Sequence, residues 1–566
     1  MKNTKNIVSL ISLILCLVLV FCCCGKKPAD TDTTSKPSQS DTNSDIILDE
    51  DDDWDDEDFD DEEDWGDEDF DDEEWEDDWA SVYDVEIDLS TPLSTNYMDS
   101  AVYLGWGYFP DANGRTYTKK EITAELDRIQ KLGYKHLRTS LSTGWVNSGY
   151  INAEKDWDWD GEEFQNFVWI CKELEKRGVT LSMTVNWEIM VDLRSSGIYV
   201  ENDYAATCEN YGNYGVKLLK KLEENGVRNI IRLIPFVETY PSRLHPGFTN
   251  KYTNEVWRDT VKALDKKLKA EGMRDRYDII GPCTTLSHFQ HVHDHNALGF
   301  TPVEWAVWVV ENCNDFIDMH SFHGYSAYSN NVYEDTYQYY YDAIAEVLPI
   351  FKATGKPVLF DEFGYSYDEV ISSQEVTYKR YLVRNEPFYA TQYIASLLAV
   401  VNNGADMTMR WSLFDTIFPD SLQDGSEFDN GIQITGIAPA MNESSIPYYD
   451  YYASSLVTRY FSGNGVKTYK GVDFGDGVYL AASENADGTF TVLAVNLNVS
   501  EAEVNFNFSK NLGKATLYRH LYDPATVKRT TAGNIIGVDK VYKNVQTTFT
   551  DVLPAGAVVV YTTNPN

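Results

Sequence analysis

The chain has 566 residues, enough for a large core and for two or three domains. Its formal net charge of −43 is concentrated, because 24 acids and no Lys or Arg lie between Asp49 and Asp78 and leave about −19 for the rest. An acidic body repels nucleic acid and anionic membrane surfaces, which argues against both as partners. The 14 Trp, 38 Tyr and 25 Phe would suit the faces of sugars, but such rings also fill ordinary cores.

The N-terminus has the pattern of a secretion signal, a short basic stretch (MKNTKN) followed by the apolar run IVSLISLILCLVLVF. The run ends at Cys22, Cys23 and Cys24, and GKK follows. This resembles a bacterial lipoprotein signal, with Cys24 as the predicted lipidation site and Cys23 as the second choice, although Phe21 and Cys22 stand where small residues are usual. An uncleaved N-terminal anchor is the alternative, but the run is short for a span of about 20 residues. Both interpretations predict an extracellular protein of the cell envelope; the first predicts a lipid anchor to the bacterial membrane.

Two polar segments separate this leader from the folded part. Residues 28–48 are rich in Pro, Ser and Thr, and residues 49–78 combine the dense acids with scattered aromatics. Such a density of like charge cannot collapse, which predicts a disordered, self-repelling stalk. Binding of calcium or of a basic partner is the alternative. The predicted organisation is a signal peptide at 1–24, a tether at 25–82, a barrel domain at 83–440 and a β-sandwich at 441–566.

An alternation of strands and helices begins once the chain becomes globular. The predicted strands are 101–109, 135–141, 179–187, 227–238, 277–282, 316–325, 356–364 and 405–414. The predicted helices are 119–133, 162–178, 204–226, 253–272, 301–314, 333–354 and 388–403. Repeated βα units predict a parallel sheet of the α/β class, and eight strands predict a (β/α)₈ TIM barrel.

After about residue 445 the pattern changes to short alternating strands with turn residues between them. The predicted strands are 477–484, 489–498, 503–508, 514–521 and 557–563. They predict a small antiparallel β-sandwich that follows the barrel, with 83–90 as a candidate extra strand.

Several polar and aromatic residues end the predicted barrel strands, where a TIM barrel places its chemistry. They are Trp106, Arg138, Asn186, Trp187, Glu238, His323, Tyr325, Glu362 and Trp411. In isolation, Arg138 could form a structural ion pair, Trp411 could pack in the core, and His323 could be a satisfied core histidine. Their joint placement at one mouth favours a functional site.

Five motifs in order carry a resemblance to a known superfamily: HLRTSL, PFVETYP, SFHGY, LFDEFGYS and MRWSLFD. Over roughly residues 95–435 the chain resembles the clan A glycoside hydrolases, which include families 5, 30, 39 and 51. The resemblance implies that Glu238 is the acid/base and Glu362 the nucleophile of a retaining glycosidase. It also implies that Arg138 and Tyr325 keep Glu362 ionised and that Trp411 lies under the reacting sugar.

The remaining residues at strand ends, Trp106, Asn186, Trp187 and His323, are then expected to bind substrate. The expected partner is a β-linked polysaccharide or oligosaccharide such as β-glucan, mannan or xylan. No cofactor, no metal and no nucleic acid are expected, and the protein is expected to be a monomer.

One residue departs from the clan pattern. The clan usually has Asn immediately before the acid/base, binding the sugar 2-hydroxyl, but this chain has Val237. The departure keeps open an alternative function, a non-catalytic glycan-binding lipoprotein on the same barrel. At the other acid, strand alternation predicts that Asp361 points away from the barrel axis and Glu362 toward it.

A histidine-rich stretch and the four Cys outside the leader complete the candidates. His288, His291, His293 and His295 lie in LSHFQHVHDHNALGF and could line a sugar cleft or chelate a transition metal. The Cys residues lack metal-like spacing, and Cys171 and Cys313 are predicted to be buried thiols, while a disulfide among the four stays open. They are Cys171, Cys208, Cys283 and Cys313.

Overall fold

The computed structural model of the chain describes much of the region from residue 81 to residue 565. The described residues are 81–103, 118–140, 159–186, 198, 200, 203–237, 253–286, 301–325, 337–364, 385–417, 432–433, 436–439, 446–471 and 477–565. The predictions about the leader with Cys24, the tether, Trp106, Trp187, Glu238 and the histidine-rich stretch lie outside these residues.

Eight parallel strands close into a barrel in chain order, because the first, β2, pairs with both β3 and β9. After β1 (Ser81–Ile87), the barrel strands are β2 (Met98–Val102), β3 (His136–Ser140), β4 (Thr180–Asn186), β5 (Ile230–Phe236), β6 (Asp278–Leu286), β7 (Met319–Tyr325), β8 (Val358–Gly364) and β9 (Met407–Arg410). The predicted (β/α)₈ barrel is confirmed. Its first strand begins three residues before the predicted start at residue 101.

Eight described helices accompany the strands. They are α1 (Lys119–Leu132), α2 (Glu162–Lys176), α3 (Tyr204–Glu224), α4 (Thr253–Ala270), α5 (Pro302–Cys313), α6 (Tyr337–Lys352), α7 (Pro387–Asn402) and α8 (Tyr449–Leu456). The capping residues explain several of the boundaries. Thr118 and Thr301 each form a capping box with the Glu three residues later, and Gly133 ends α1 with a φ of 95°.

Helix α8 was not predicted. No element was predicted for α8 or for the π-helical turn Val457–Phe461 that follows it, and both precede the first predicted sandwich strand at 477–484. The segment is rich in Tyr and in β-branched residues, which favour strands when intrinsic propensity alone is considered. Tertiary contacts override that preference, since Thr458 Oγ1 and Arg459 Nη1 donate to the carbonyls of Leu132 and Lys131 at the end of α1.

The barrel interior is a packed core with layers of different polarity. Its apolar layer consists of Met98, Ile234, Val237, Ile280, Cys283, Met319, Leu359, Met407 and Met409. Toward the N-terminal ends of the strands, His136 lies 2.7 Å from Ser182 Oγ and 3.3 Å from Arg232 Nη1. These polar side chains contact one another at the end of the barrel opposite the mouth.

Two further sheets pack face to face and form the predicted sandwich. Between the barrel and these sheets along the chain, β10 (Thr416–Ile417) and β11 (Ile432–Gln433) form a short antiparallel pair. The strands of the sandwich are β1 together with β12 (Lys467–Lys470), β13 (Val478–Glu484), β14 (Phe490–Asn496), β15 (Ala502–Phe508), β16 (Ala515–Tyr522), β17 (Val538–Val545), β18 (Thr548–Leu553) and β19 (Val558–Thr562). The larger sheet has the order β12-β13-β14-β19-β16-β17, and the smaller has β1-β15-β18. The proposed extra strand near 83–90 is confirmed as β1. It pairs parallel with β15, so the sandwich contains one parallel pair.

Helix α7 joins the barrel to the sandwich. All its residues from Phe388 to Asn402 are buried. Thr391 Oγ1 donates to the carbonyl of Gly556, and Asn402 Nδ2 donates to that of Leu480, both in the sandwich. Burial on every side explains why this helix is apolar all round rather than amphipathic.

The described part of the chain contains no helix that is long and apolar enough to cross a membrane. All four Cys outside the leader are buried and free, which confirms the buried thiols at Cys171 and Cys313 and leaves no disulfide among the four.

Candidate active site

A β-bulge places two adjacent carboxylates on the same side of β8. In the pairing with β7, Phe322 lies opposite Phe360 and His323 lies opposite Glu362, so Asp361 is an extra residue without a partner in the ladder. A bulge interrupts the alternation of side chains. Both Asp361 and Glu362 therefore reach the same basic groups inside the barrel, and the prediction that Asp361 points away from the axis is wrong.

Arg138, on β3, is one of these basic groups. Its Nη1 lies 3.0 Å from Glu362 Oε1 and 3.9 Å from Asp361 Oδ2, and it donates to the Asp361 carbonyl at 2.7 Å. Its Nε donates to Thr184 Oγ1 at 2.9 Å, which fixes the plane of the guanidinium. The side chain is 1% exposed, so water screens its attraction to the carboxylates little. The predicted contact between Arg138 and Glu362 is present in the structure.

His323, on β7, is the second basic group. Its Nδ1 lies 3.3 Å from Glu362 Oε2, and its Nε2 lies 3.6 Å from Asp361 Oδ1. The imidazole is fully buried, and Glu362 is 4% exposed. His323 thus lies between the two acids, with one ring nitrogen facing each of them.

Asp361 is buried more deeply than Glu362 and has an additional partner on β6. Burial raises the pKa of its carboxyl, but His323, Arg138 and the neighbouring Cys283 thiol outweigh burial and lower the pKa below its ordinary value. Cys283 is itself the extra residue of a bulge in β6 and has a φ of 54°. Ser321 Oγ donates to the Cys283 sulfur at 3.3 Å. Asp361 is thereby held as a carboxylate in the barrel interior.

Trp411 follows β9 directly, at the C-terminal mouth of the barrel. Its backbone N–H donates to the Phe363 carbonyl at 2.9 Å, and the peptide bond to Ser412 is cis. The side chain is partly exposed, in contrast to the buried residues on both sides of it. A partly exposed indole next to β8 is accessible to a ligand at the mouth.

Val237 directly follows β5 and belongs to the apolar layer. Its side chain is 4% exposed and belongs to the same cluster as Ile234 and Met409. The residue in the place of the usual Asn is therefore part of the barrel packing. Glu238 is the next residue and lies outside the described part of the chain, so its role stays a prediction.

The structure describes only the backbone of two other predicted site residues. Asn186 pairs with Phe236 at the ends of β4 and β5, and Tyr325 pairs with Gly364 at the ends of β7 and β8. Their backbones thus lie at the predicted mouth. Their roles in substrate binding stay predictions, as do those of Trp106 and Trp187.

Three polar residues of this site were missed from the sequence: Thr184, Cys283 and Ser321. Thr184 lies two positions before Asn186 on the same strand, so alternation along β4 could have found it. Cys283 lies beyond the predicted end of its strand, and the bulge that turns it inward has no signal in the sequence.

Within the described residues, no group of three or more His, Cys, Asp or Glu is arranged to hold a metal ion. The stretch with His288, His291, His293 and His295 lies outside those residues, and the two interpretations of it stay open.

A closed eight-stranded barrel followed by a β-sandwich is the fold of the glycoside hydrolases that this sequence resembles. The solved structures with a similar fold include the following three. The catalytic domain of family 30 xylanase C from Talaromyces cellulolyticus has a TM-score of 0.56 at 14% identity over 85% of this chain and 99% of that one. An endo-β1,6-glucanase has a TM-score of 0.54 at 14% identity over 85% and 94%. An α-L-arabinofuranosidase from Thermotoga maritima has a TM-score of 0.53 at 16% identity over 85% and 99%.

The sequence matches no protein-family model and no curated protein sequence. At these identities the likeness to solved structures concerns the fold, and in fold the resemblance to clan A glycoside hydrolases is confirmed.

Proposed function

We propose that this protein is a retaining glycoside hydrolase that cleaves β-linked glycans by double displacement. One observation carries the proposal: Glu362, near the end of β8, is a buried carboxylate ion-paired with Arg138 at 3.0 Å. A buried carboxylate held by a guanidinium stays ionised, as a nucleophile must. Solved proteins of the same fold include a xylanase and a β1,6-glucanase, which supports a glycan substrate.

In the first step, a Glu362 oxygen attacks the anomeric carbon while the glycosidic C–O bond breaks. Glu238 donates its proton to the leaving oxygen, and a covalent glycosyl ester on Glu362 results. In the second step, water attacks the same carbon, Glu238 accepts a proton from it, and the carboxylate of Glu362 leaves. The two displacements restore both acids and retain the anomeric configuration.

The reacting sugar would lie at the mouth between Glu362 and Trp411. The partly exposed indole offers an apolar face for stacking on a sugar ring. Arg138 and His323 both contact Glu362 from within the barrel. The sugar would approach Glu362 from the mouth.

A second candidate, a non-catalytic glycan-binding protein, is favoured by Val237. Its buried apolar side chain cannot provide the hydrogen bond to the sugar 2-hydroxyl that the clan usually obtains from Asn. That bond strengthens in the transition state, so its loss would lower the rate more than the affinity.

The test is a panel of β-glucans, mannans, xylans and galactans, assayed both for released reducing ends and for binding. Hydrolysis by the wild type and its loss in Glu362→Gln, a variant of nearly the same shape, would support the enzyme. Binding without hydrolysis would support the second candidate. If the protein neither hydrolyses nor binds any glycan of the panel, both candidates are contradicted.

We further propose that the protein acts at the cell envelope, anchored through a lipidated Cys24. The basic and apolar leader followed by Cys-Gly-Lys-Lys supports this placement. An extracellular enzyme of this kind would meet polysaccharides too large to enter the cell.

A further inference from the structure

We propose that Asp361 is a positioning residue that keeps His323 protonated, including while Glu362 is esterified to a sugar. The inference rests on the proposed function for its catalytic role. The charge arrangement itself is a property of the free protein and can be measured without any substrate.

The geometry around His323 favours an imidazolium. Its two ring nitrogens lie 3.3 Å from a Glu362 oxygen and 3.6 Å from an Asp361 oxygen. A neutral imidazole has only one N–H, so its other nitrogen would present a lone pair to a carboxylate. Protonation places a positive charge on the ring within 3.3 Å and 3.6 Å of the two anions, and the resulting attraction is electrostatic.

The bulge in β8 is what creates this arrangement. In a regular strand, Asp361 and Glu362 would point to opposite faces, and the ring could meet only one of them. Because Asp361 is the extra residue opposite the Phe322–His323 step, both carboxylates face the ring.

Charged and titratable groups from three strands surround the ring in the described part of the chain. Asp361 and Glu362 belong to β8, Arg138 comes from β3 and contacts both acids, and the Cys283 thiol of β6 contributes to the lowered pKa of Asp361. Burial raises the pKa of that thiol well above its ordinary value, so it stays neutral. The two carboxylates are thus the anions that stabilise the imidazolium against burial and against Arg138.

During the proposed reaction, the first displacement converts the Glu362 carboxylate into a neutral ester. One of the two anions facing His323 is then lost, while the Asp361 charge remains. An imidazolium that survives this step can donate a hydrogen bond to the ester carbonyl and favour the departure of Glu362 in the second displacement. Asp361 acts through His323 and does not need to touch the sugar.

The test follows the titration of His323 by NMR of the full-length protein with ¹³C-labelled histidine, and the His323 signal is assigned by its loss in His323→Gln. In the wild type we expect a midpoint above the ordinary value of about 6.5. Asp361→Asn removes one anion and should lower the midpoint by at least about one pH unit. An unchanged midpoint in folded Asp361→Asn would overturn the proposal.

Glu362→Gln provides an independent measurement that does not require Asp361→Asn to fold. With Asp361 still present, His323 should remain protonated near neutral pH, and a midpoint far below 6.5 would contradict the proposal. Asp99→Asn is the matched control, because Asp99 is also buried but contacts Thr408 rather than His323. It should leave the midpoint unchanged.

The two hypotheses can fail separately. If the wild type hydrolyses no glycan but His323 titrates as expected, the proposed function fails and the charge arrangement stands. If glycans are hydrolysed and His323 is neutral in both the wild type and Glu362→Gln, the function stands and Asp361 has no such role.

Discussion

The guanidinium of Arg138 reaches across the barrel from β3 and lies 3.0 Å from the carboxylate of Glu362 on β8. It also donates to the backbone carbonyl of Asp361 and to the hydroxyl of Thr184. One planar group thus binds the proposed nucleophile, the adjacent bulge and a third strand. We regard this as the contact that fixes the position of Glu362.

Replacing Arg138 by Lys should reduce turnover by about 10²-fold, because a point charge cannot make all three contacts at once and Glu362 would shift. The measurement is kcat on the best glycan of the panel, with circular dichroism to show that the variant folds. Arg232→Lys is a matched control, since Arg232 is a buried Arg at the opposite end of the barrel interior. Equal losses in the two variants would point to general destabilisation.

The two glutamates should respond differently to activated substrates. Glu238→Ala should lose about 10²- to 10⁴-fold on polysaccharide but keep glycosylation on a dinitrophenyl β-glycoside, whose leaving group needs no proton. Azide should then restore turnover and give a β-glycosyl azide, which NMR identifies. In Glu362→Ala, azide can attack only from the face vacated by the nucleophile and should give the α-azide. The opposite pattern would exchange the two roles.

The stereochemical course tests the distance between the two acids. Retaining glycosidases hold their carboxyl groups about 5–5.5 Å apart, whereas inverting ones leave about 6.5–9.5 Å for a water molecule. We therefore expect the β-anomer to form first when the products are followed by NMR within the first minutes of hydrolysis. An α-anomer formed first would exclude the double displacement.

Stability should depend on pH through Asp99, whose pKa burial raises to about 7 against the hydrogen bond from Thr408 and the charge of Arg410. Between about pH 4 and pH 7 the native state holds a proton that the unfolded state lacks, so this group lowers the stability as pH rises. The stability of Asp99→Asn relative to wild type should therefore rise by about 2.5 kcal/mol between pH 5 and pH 8. Urea unfolding of both proteins at pH 5 and pH 8 measures this. If the difference in unfolding free energy between variant and wild type is the same at both pH values, Asp99 is not protonated in the native state.

The lipid anchor can be tested on the leader itself. Replacing Cys22, Cys23 and Cys24 together by Ser should release the protein from membranes or stop its processing, because no thiol is left to acylate. Fractionation with and without detergent measures the effect. Continued membrane association after the triple substitution would show that an uncleaved apolar segment is the anchor.

The sequence by itself determined the barrel. The spacing of apolar residues that marks a strand or a helix is a local property, and eight strands alternating with helices are compatible with few topologies. It also placed Arg138, His323, Glu362 and Trp411 at one mouth, since parallel strands that end in polar residues bring those residues together. The helix at 449–456 was not predictable in this way, because its stability comes from burial against α1 and α7 rather than from its own propensity.

Only the tertiary structure decided which way Asp361 points. Alternation assigns it to the outer face, but the pairing of β8 with β7 skips one residue, and that skip depends on the neighbouring strand. The same holds for Cys283, the extra residue of a bulge in β6, whose thiol contributes to the lowered pKa of Asp361. Register between strands arises from contacts far apart in the sequence, which is why the charge arrangement around His323 appears only once the barrel is closed.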